Sequence, residues 1–275
     1  MGRLAAALAI VGIAATGGGC GEKDEPEGGS PPPSPPALPA GAEEVVLEAA
    51  SGGGYVPVVD MRREFPDAVL YGDGRLITAV PGDPEDDAAI PELQVTQLDD
   101  AEVGELALAA RDAGVGEDVD YGTPDITDLP TTTVTLRTQA GTEEASAYGL
   151  GFDDADAGVS GEQEEARREL SEFVDSLVER AGEPFEPEAY VVTSIASGGV
   201  GEGGLRWPLE GDRFAGGKRS EVCTVVEGRD LRKLAGVAED ATAEELWIGN
   251  GTRAEVAIRP AIGLLDGCPD GVPEA

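Results

Sequence analysis

The chain has 275 residues, 40% apolar but only 4% aromatic, enough for one sizeable domain or two small ones around an aliphatic core. Its 55 acidic against 19 basic residues give a formal charge of -36, which argues against nucleic acid and anionic headgroups as partners, because phosphate binding needs clustered Lys and Arg. Histidine is absent, which excludes Ser-His and Cys-His nucleophile pairs and the usual histidine-containing zinc sites.

The chain opens with one basic residue, Arg3, and an apolar run from Leu4 to Ala15. That run has the length of a signal-peptide core and is too short to span a bilayer. The small residues Thr16 to Gly19 lead to Cys20. The arrangement resembles a bacterial lipoprotein signal, in which the cysteine becomes the first mature residue and carries acyl chains on its sulfur and its amine. Gly19 fits that pattern, whereas Gly17 stands where leucine is usual; ordinary signal cleavage near Ala15 or Gly17 is the alternative. Three cysteines occur, so if Cys20 is acylated, Cys223 and Cys268 are left to form one disulfide. Residues 1–19 are therefore read as a lipoprotein signal peptide. Residues 20–42, rich in Pro, Gly and acid, are read as a disordered linker, with Pro31-Pro32-Pro33 and Pro35-Pro36 favouring an extended spacer.

Beyond the linker, Glu43 to Ala49 reads as a strand broken by Gly52-Gly53-Gly54. Ala68 to Tyr71 and Arg75 to Thr78 flank Gly72-Asp73-Gly74, a hairpin pattern. An acidic, proline-bounded loop follows from Pro81 to Pro91, then a strand at Leu93 and Val95. Asp99 predicts the cap of a helix running to about Ala113, with Val103, Leu106, Ala107 and Ala110 on its buried face and Gly114 ending it. Thr131 to Thr138 and Glu143 to Leu150 read as a second hairpin. Ser160 and Gln163 predict a capping box for a helix with the stripe Leu170, Phe173, Val174, Leu177 and Ala181, stopped by Gly182 and Pro184. Tyr190 to Ile195 and Glu221 to Val226 read as strands, Asp230 to Ala238 as a helix, and Leu246 to Ile248 with Arg253 to Ile258 as a hairpin about Asn250-Gly251.

The expected fold class is α+β: antiparallel sheets with helices on one face, following a signal peptide and a disordered linker. The order strand, helix, hairpin occurs twice, over Leu93 to Leu150 and Val222 to Ile258, which suggests a structural duplication. Two α+β subdomains are expected, residues 43–182 and residues 183–275, the second holding the disulfide. One continuous sheet is the alternative.

Chemical motifs are weak. Gly199 to Gly204 matches GxGxxG, but an extended segment and not a helix follows, so the reading is a loop and not a dinucleotide site. Asp153, Asp154 and Asp156 with Gly158 and Glu164 are spaced partly like a calcium loop. Ala155 and Ala157 stand where two ligands belong, and an acidic helix N-terminus explains the same residues. Asp118, Asp120, Asp125 and Asp128 form a second weak calcium candidate; no other cofactor is expected. Trp207 and Trp247 read as core or interface plugs.

Tyr71-Gly72-Asp73-Gly74-Arg75, Ala110-Arg111-Asp112-Ala113-Gly114, Tyr121-Gly122, Thr127 to Val134 and Tyr148-Gly149-Leu150 resemble secreted lipoproteins of actinobacteria without an assigned function. Trp207-Pro208-Leu209, Cys223, Arg259-Pro260 and Cys268 continue the resemblance. It implies an envelope location and a Cys223–Cys268 bridge, and it brings no catalytic residue. The expected function is that of a membrane-anchored exported lipoprotein, an extracytoplasmic binding or interaction module on the cell membrane. Its expected partners are the membrane, through the N-terminal lipid, and an envelope protein or a cation. A carboxylate-based or cation-dependent envelope hydrolase is the alternative.

Overall fold

β-Branched and aliphatic runs separated by glycine turns favour antiparallel pairing, and sheets dominate the result. The computed structural model describes residues 34–80, 88–152, 158–198, 203–211, 213–216, 219–239 and 241–274. Cys20 and the candidate calcium residues Asp153, Asp154 and Asp156 lie outside these residues.

The first sheet has seven strands: β1 (Val45–Gly52), β2 (Ala68–Tyr71), β3 (Arg75–Ala79), β4 (Leu93–Gln97), β5 (Thr131–Thr138), β6 (Gly141–Tyr148) and β7 (Glu183–Phe185), in the order β6-β5-β1-β2-β3-β4-β7. Every pairing in it is antiparallel. The hairpin expected about Gly72-Asp73-Gly74 forms, and both glycines are required. Gly74 has φ +85, and a Cβ on it would strike the Leu98 carbonyl; a Cβ on Gly72 would lie 2.7 Å from the Gly41 carbonyl.

Helices α2 (Asp100–Asp112) and α3 (Gly161–Val178) start at the expected caps. Asp99 with Glu102 and Ser160 with Gln163 each complete a capping box. Their stripes, including Leu106, Ala110, Leu170, Phe173 and Leu177, pack with Leu47, Leu70, Leu76 and Leu136 of the sheet. Ala181 stays exposed, because α3 ends at Val178. Arg167 joins the buried side of α3 and donates to the Tyr148 carbonyl at 3.0 Å and the Gly149 carbonyl at 2.7 Å.

The second sheet has five strands: β8 (Ala189–Ala196), β9 (Leu205–Arg206), β10 (Glu221–Glu227), β11 (Trp247–Gly249) and β12 (Thr252–Pro260), ordered β10-β8-β12-β11-β9. Only β9 and β11 pair in parallel. Asn250 and Gly251 turn the β11–β12 hairpin with φ of 50 and 73. Helix α4 (Gly228–Ala238) buries Leu234 and Ala238 in a core with Val192, Trp207, Phe214, Trp247 and Ile258. The fold is thus mixed α+β, with two antiparallel-dominated sheets. Strand β7 closes the first sheet and β8 belongs to the second, so the chain passes between the sheets from Phe185 to Ala189.

Three features depart from the sequence reading. First, the two strand-helix-hairpin runs share chain order but not topology. Strands β3, β2 and β1 separate β4 from β5, whereas β8 alone separates β10 from β12. The cause is the meander β2-β3-β4, which occupies one side of β1 and leaves the other side for the second hairpin. Second, part of the expected 20–42 linker is docked. The Gln139 amide donates to the Ala37 carbonyl at 2.8 Å, and Leu38 packs on the first core. Third, a helix without a sequence cue, α1 (Val58–Arg63), packs on β12 and β8, although it lies between β1 and β2 in the chain.

The C-terminal segment also crosses between sheets. Ile262 packs with Val45, Val69, Tyr71, Ile77 and Leu93, and the Leu264 amide donates to Glu48 Oε2 at 2.6 Å. Glu48 is 6% exposed. Burial pushes its carboxyl above the usual range, opposed by the Leu264 N–H and the Arg137 charge. Such a group holds its proton more readily folded than unfolded. Its contribution therefore favours folding at low pH and fades as pH rises from the ordinary glutamate value through the raised one. Glu48→Gln removes the charge but keeps an acceptor, so thermal melts are expected to show a gain at pH 7 that vanishes by about pH 4. An equal difference at both pH values would contradict this.

Candidate interaction surface

The glycine break after β1 presents the most exposed aromatic residue among those described. Gly53 donates its amide to Glu64 Oε1 at 2.9 Å, and the Tyr55 amide donates to the Asp128 carbonyl at 3.3 Å. Gly54, at φ +87, passes so close to Asp128 that a Cβ would lie 2.8 Å from its carbonyl oxygen. The loop is thereby held while the Tyr55 side chain projects, 87% exposed. Val56, Val58 and Met61 are exposed beside it in sequence, and Val58 and Met61 share a face of α1 at i,i+3 spacing. Burial of Val59 explains the orientation.

Two arginines fix α1. Arg62 Nε donates to Glu221 Oε1 at 2.8 Å. Arg63 bonds Asp60 at 2.5 Å and donates to the Ala243 and Val256 carbonyls. Met61 and Arg62 then form one wall of a cavity of about 500 Å³. The opposite wall is the loop from Leu264 to Asp270, whose Leu265 is also exposed.

That loop is secured at both ends. Cys223 and Cys268 are joined by a disulfide with a Cα–Cα distance of 5.9 Å. Gly263 donates its amide to the Tyr71 hydroxyl at 2.9 Å. Buried Arg259 donates to the Leu265 carbonyl and, at 2.6 Å, to the Gly267 carbonyl; burial lowers its pKa, and Asp266 opposes the shift. Arg62 and Arg259 are thus both engaged within the fold, and the cavity presents Met61, Leu264 and Leu265 together with Glu64, Asp266 and Asp270. The exposed apolar residues from Tyr55 to Met61, of which Met61 also lines the cavity, suit contact with an apolar partner surface, with tyrosine as a low-entropy contact.

Of the other candidate acids, Glu164, Asp120 and Asp128 take part in local backbone structure. Glu164 is exposed in the first turn of α3, and its amide donates to the Ser160 carbonyl at 2.9 Å. Asp120 accepts from the Gly122 amide and from Gln163 Nε2, each at 2.9 Å, which lowers its pKa. Asp128 turns the chain at φ 68. Among the described residues, no group of three or more Asp, Glu, Cys or His is placed to hold a metal ion. Gly203 and Gly204 lead into strand β9, so no helix meets the end of the GxGxxG match. Trp207 and Trp247 are core residues, their rings 5.9 Å apart, with Phe214 5.0 Å from Trp207.

The Tyr55 strip is absent from the sequence reading; its local signal is the run Tyr55-Val56-Pro57-Val58 after three glycines. No described helix is long and apolar enough to cross a membrane. Comparison with known proteins finds no matching family model, no similar curated protein and no similar solved structure.

Proposed function

We propose that the protein is an exported lipoprotein, anchored through acylated Cys20, and that its folded unit is an extracytoplasmic interaction module. The observation that carries this reading is the Cys223–Cys268 disulfide. Disulfides of this kind belong to oxidising compartments outside the cytoplasm, and this one takes up every cysteine except Cys20. From Cys20 to Ser34 the chain reaches at most about 50 Å when fully extended, so the module works close to the membrane.

The Tyr55–Met61 strip and the adjoining cavity serve as the binding face. A photoreactive residue in place of Tyr55, in protein anchored on intact cells, is expected to give a discrete crosslinked adduct. The same residue in place of Glu105, exposed on α2, is expected to give none. Absence of an adduct at Tyr55, or equal labelling at both positions, would count against this face.

A further inference from the structure

Beneath the C-terminal half of α3 lies a second cavity, of about 380 Å³. Its base is polar. Ser51 of β1 and Thr132 of β5 face each other across the sheet, with their hydroxyl oxygens 3.0 Å apart. Asp67, the residue before β2, adjoins them. Burial raises its pKa, and the amide and hydroxyl of Ser51 oppose that rise. The α3 side contributes Val174 and Val178, which are apolar, and Asp175, which is exposed at the mouth. Among the described residues, no lysine or arginine lines the cavity.

A partly desolvated carboxylate without a cation in its own cavity is unfavourable for folding. The same arrangement is favourable for a ligand that brings a positive charge and an apolar body together. An anion is opposed by Asp67 and Asp175. Among the described residues a bare metal ion would find two carboxylates and the neighbouring hydroxyls, and it would leave the valine wall unused. The volume lies within the range of small-ligand pockets.

We propose that this cavity binds a small organic ammonium ion, its charged head between Asp67 and Asp175 and its alkyl part against Val174 and Val178. The ammonium hydrogens would also reach the Ser51 and Thr132 hydroxyls, which accept as well as donate. This site depends neither on the lipid anchor nor on the Tyr55 face.

The test is an NMR titration of the whole folded unit with n-butylammonium chloride, sodium chloride being exchanged to hold ionic strength constant. The exchange matters because a protein of charge -36 attracts any cation weakly. Saturable shifts of the Val174 and Val178 methyl groups are expected. Asp67→Asn should weaken binding by at least about tenfold, as loss of a charge-assisted contact does. Val174→Phe, which fills the space and leaves every charge in place, should abolish it. Asp175→Asn changes an exposed side chain, so it reads the contribution of charge even if Asp67→Asn fails to fold; a loss of about threefold or more is expected. Non-saturating shifts, or the same affinity in Asp175→Asn and Val174→Phe as in the parent, would overturn the proposal.

Discussion

Removing the disulfide by the paired change Cys223→Ala and Cys268→Ala is expected to lower the melting temperature by about 10 °C. The bridge spans a sequence separation of 45, and closing a loop of that length stabilises by roughly 4 kcal/mol in the chain-entropy model. For a folded unit of this size each kcal/mol moves the midpoint by about 2–4 °C. Cys223 is fully buried on β10, where its amide also holds the tail by donating to the Pro273 carbonyl at 3.0 Å. The loss should therefore be felt locally as well. Hydrogen exchange at Gly263 and Leu264 is expected to quicken more than exchange in β1 or β5, because the wall of the 500 Å³ cavity then rests on non-covalent contacts, among them those with Arg259, Tyr71 and Glu48. A midpoint unchanged within about 2 °C would show that the native contacts of this loop make the crosslink redundant.

The second large effect is one of location. Cys20→Ala is expected to move the protein from the membrane fraction to the medium. A single acyl chain binds a bilayer marginally and reversibly, whereas several on one residue hold it stably, so their loss changes partitioning by orders of magnitude. The net charge of the chain is strongly negative, so anionic headgroups repel it. Replacing residues 1–20 by a conventional cleavable signal should give the same release, which separates loss of the lipid from retention of an unprocessed precursor. Persistence of the mature form on membranes in both variants would refute the anchor.

Local chemistry explains which parts of the fold were legible in the sequence. Asp99 with Glu102 and Ser160 with Gln163 announce helix starts because a capping box is complete within four residues. Asp73-Gly74 and Asn250-Gly251 announce turns for the same reason: positive φ is a property of the residues themselves. Helix α1 carries no such cue. It is six residues long without a side-chain cap, and its hold comes from Arg62 on Glu221 and Arg63 on two distant carbonyls. Docking of Ala37 and Leu38 likewise depends on Gln139, some hundred positions away, and the passage of Pro39 to Gly41 depends on the space left by Gly72.

The candidate sites follow the same division. Pairing of Cys223 with Cys268 was accessible by counting, because only three cysteines exist and the sequence around Cys20 reads as a lipoprotein signal. The acidic spacing that suggested calcium gave no comparable constraint: in a chain with 55 acids such patterns arise readily, and Asp120 is spent on an amide and Gln163. The ammonium cavity draws on β1, β5, the start of β2 and α3, whose residues share no sequence neighbourhood. The Tyr55 face depends on exposure, which only the packing of Val59 against its surroundings decides.

Mass spectrometry of the mature protein extracted from membranes, alkylated before reduction, tests the central claim most directly. A chain that begins at Cys20, carries a diacylglyceryl thioether and an acylated amine, and keeps Cys223 and Cys268 unalkylated is the predicted result. An unmodified Cys20 thiol, or a chain that still begins at Met1, would contradict it.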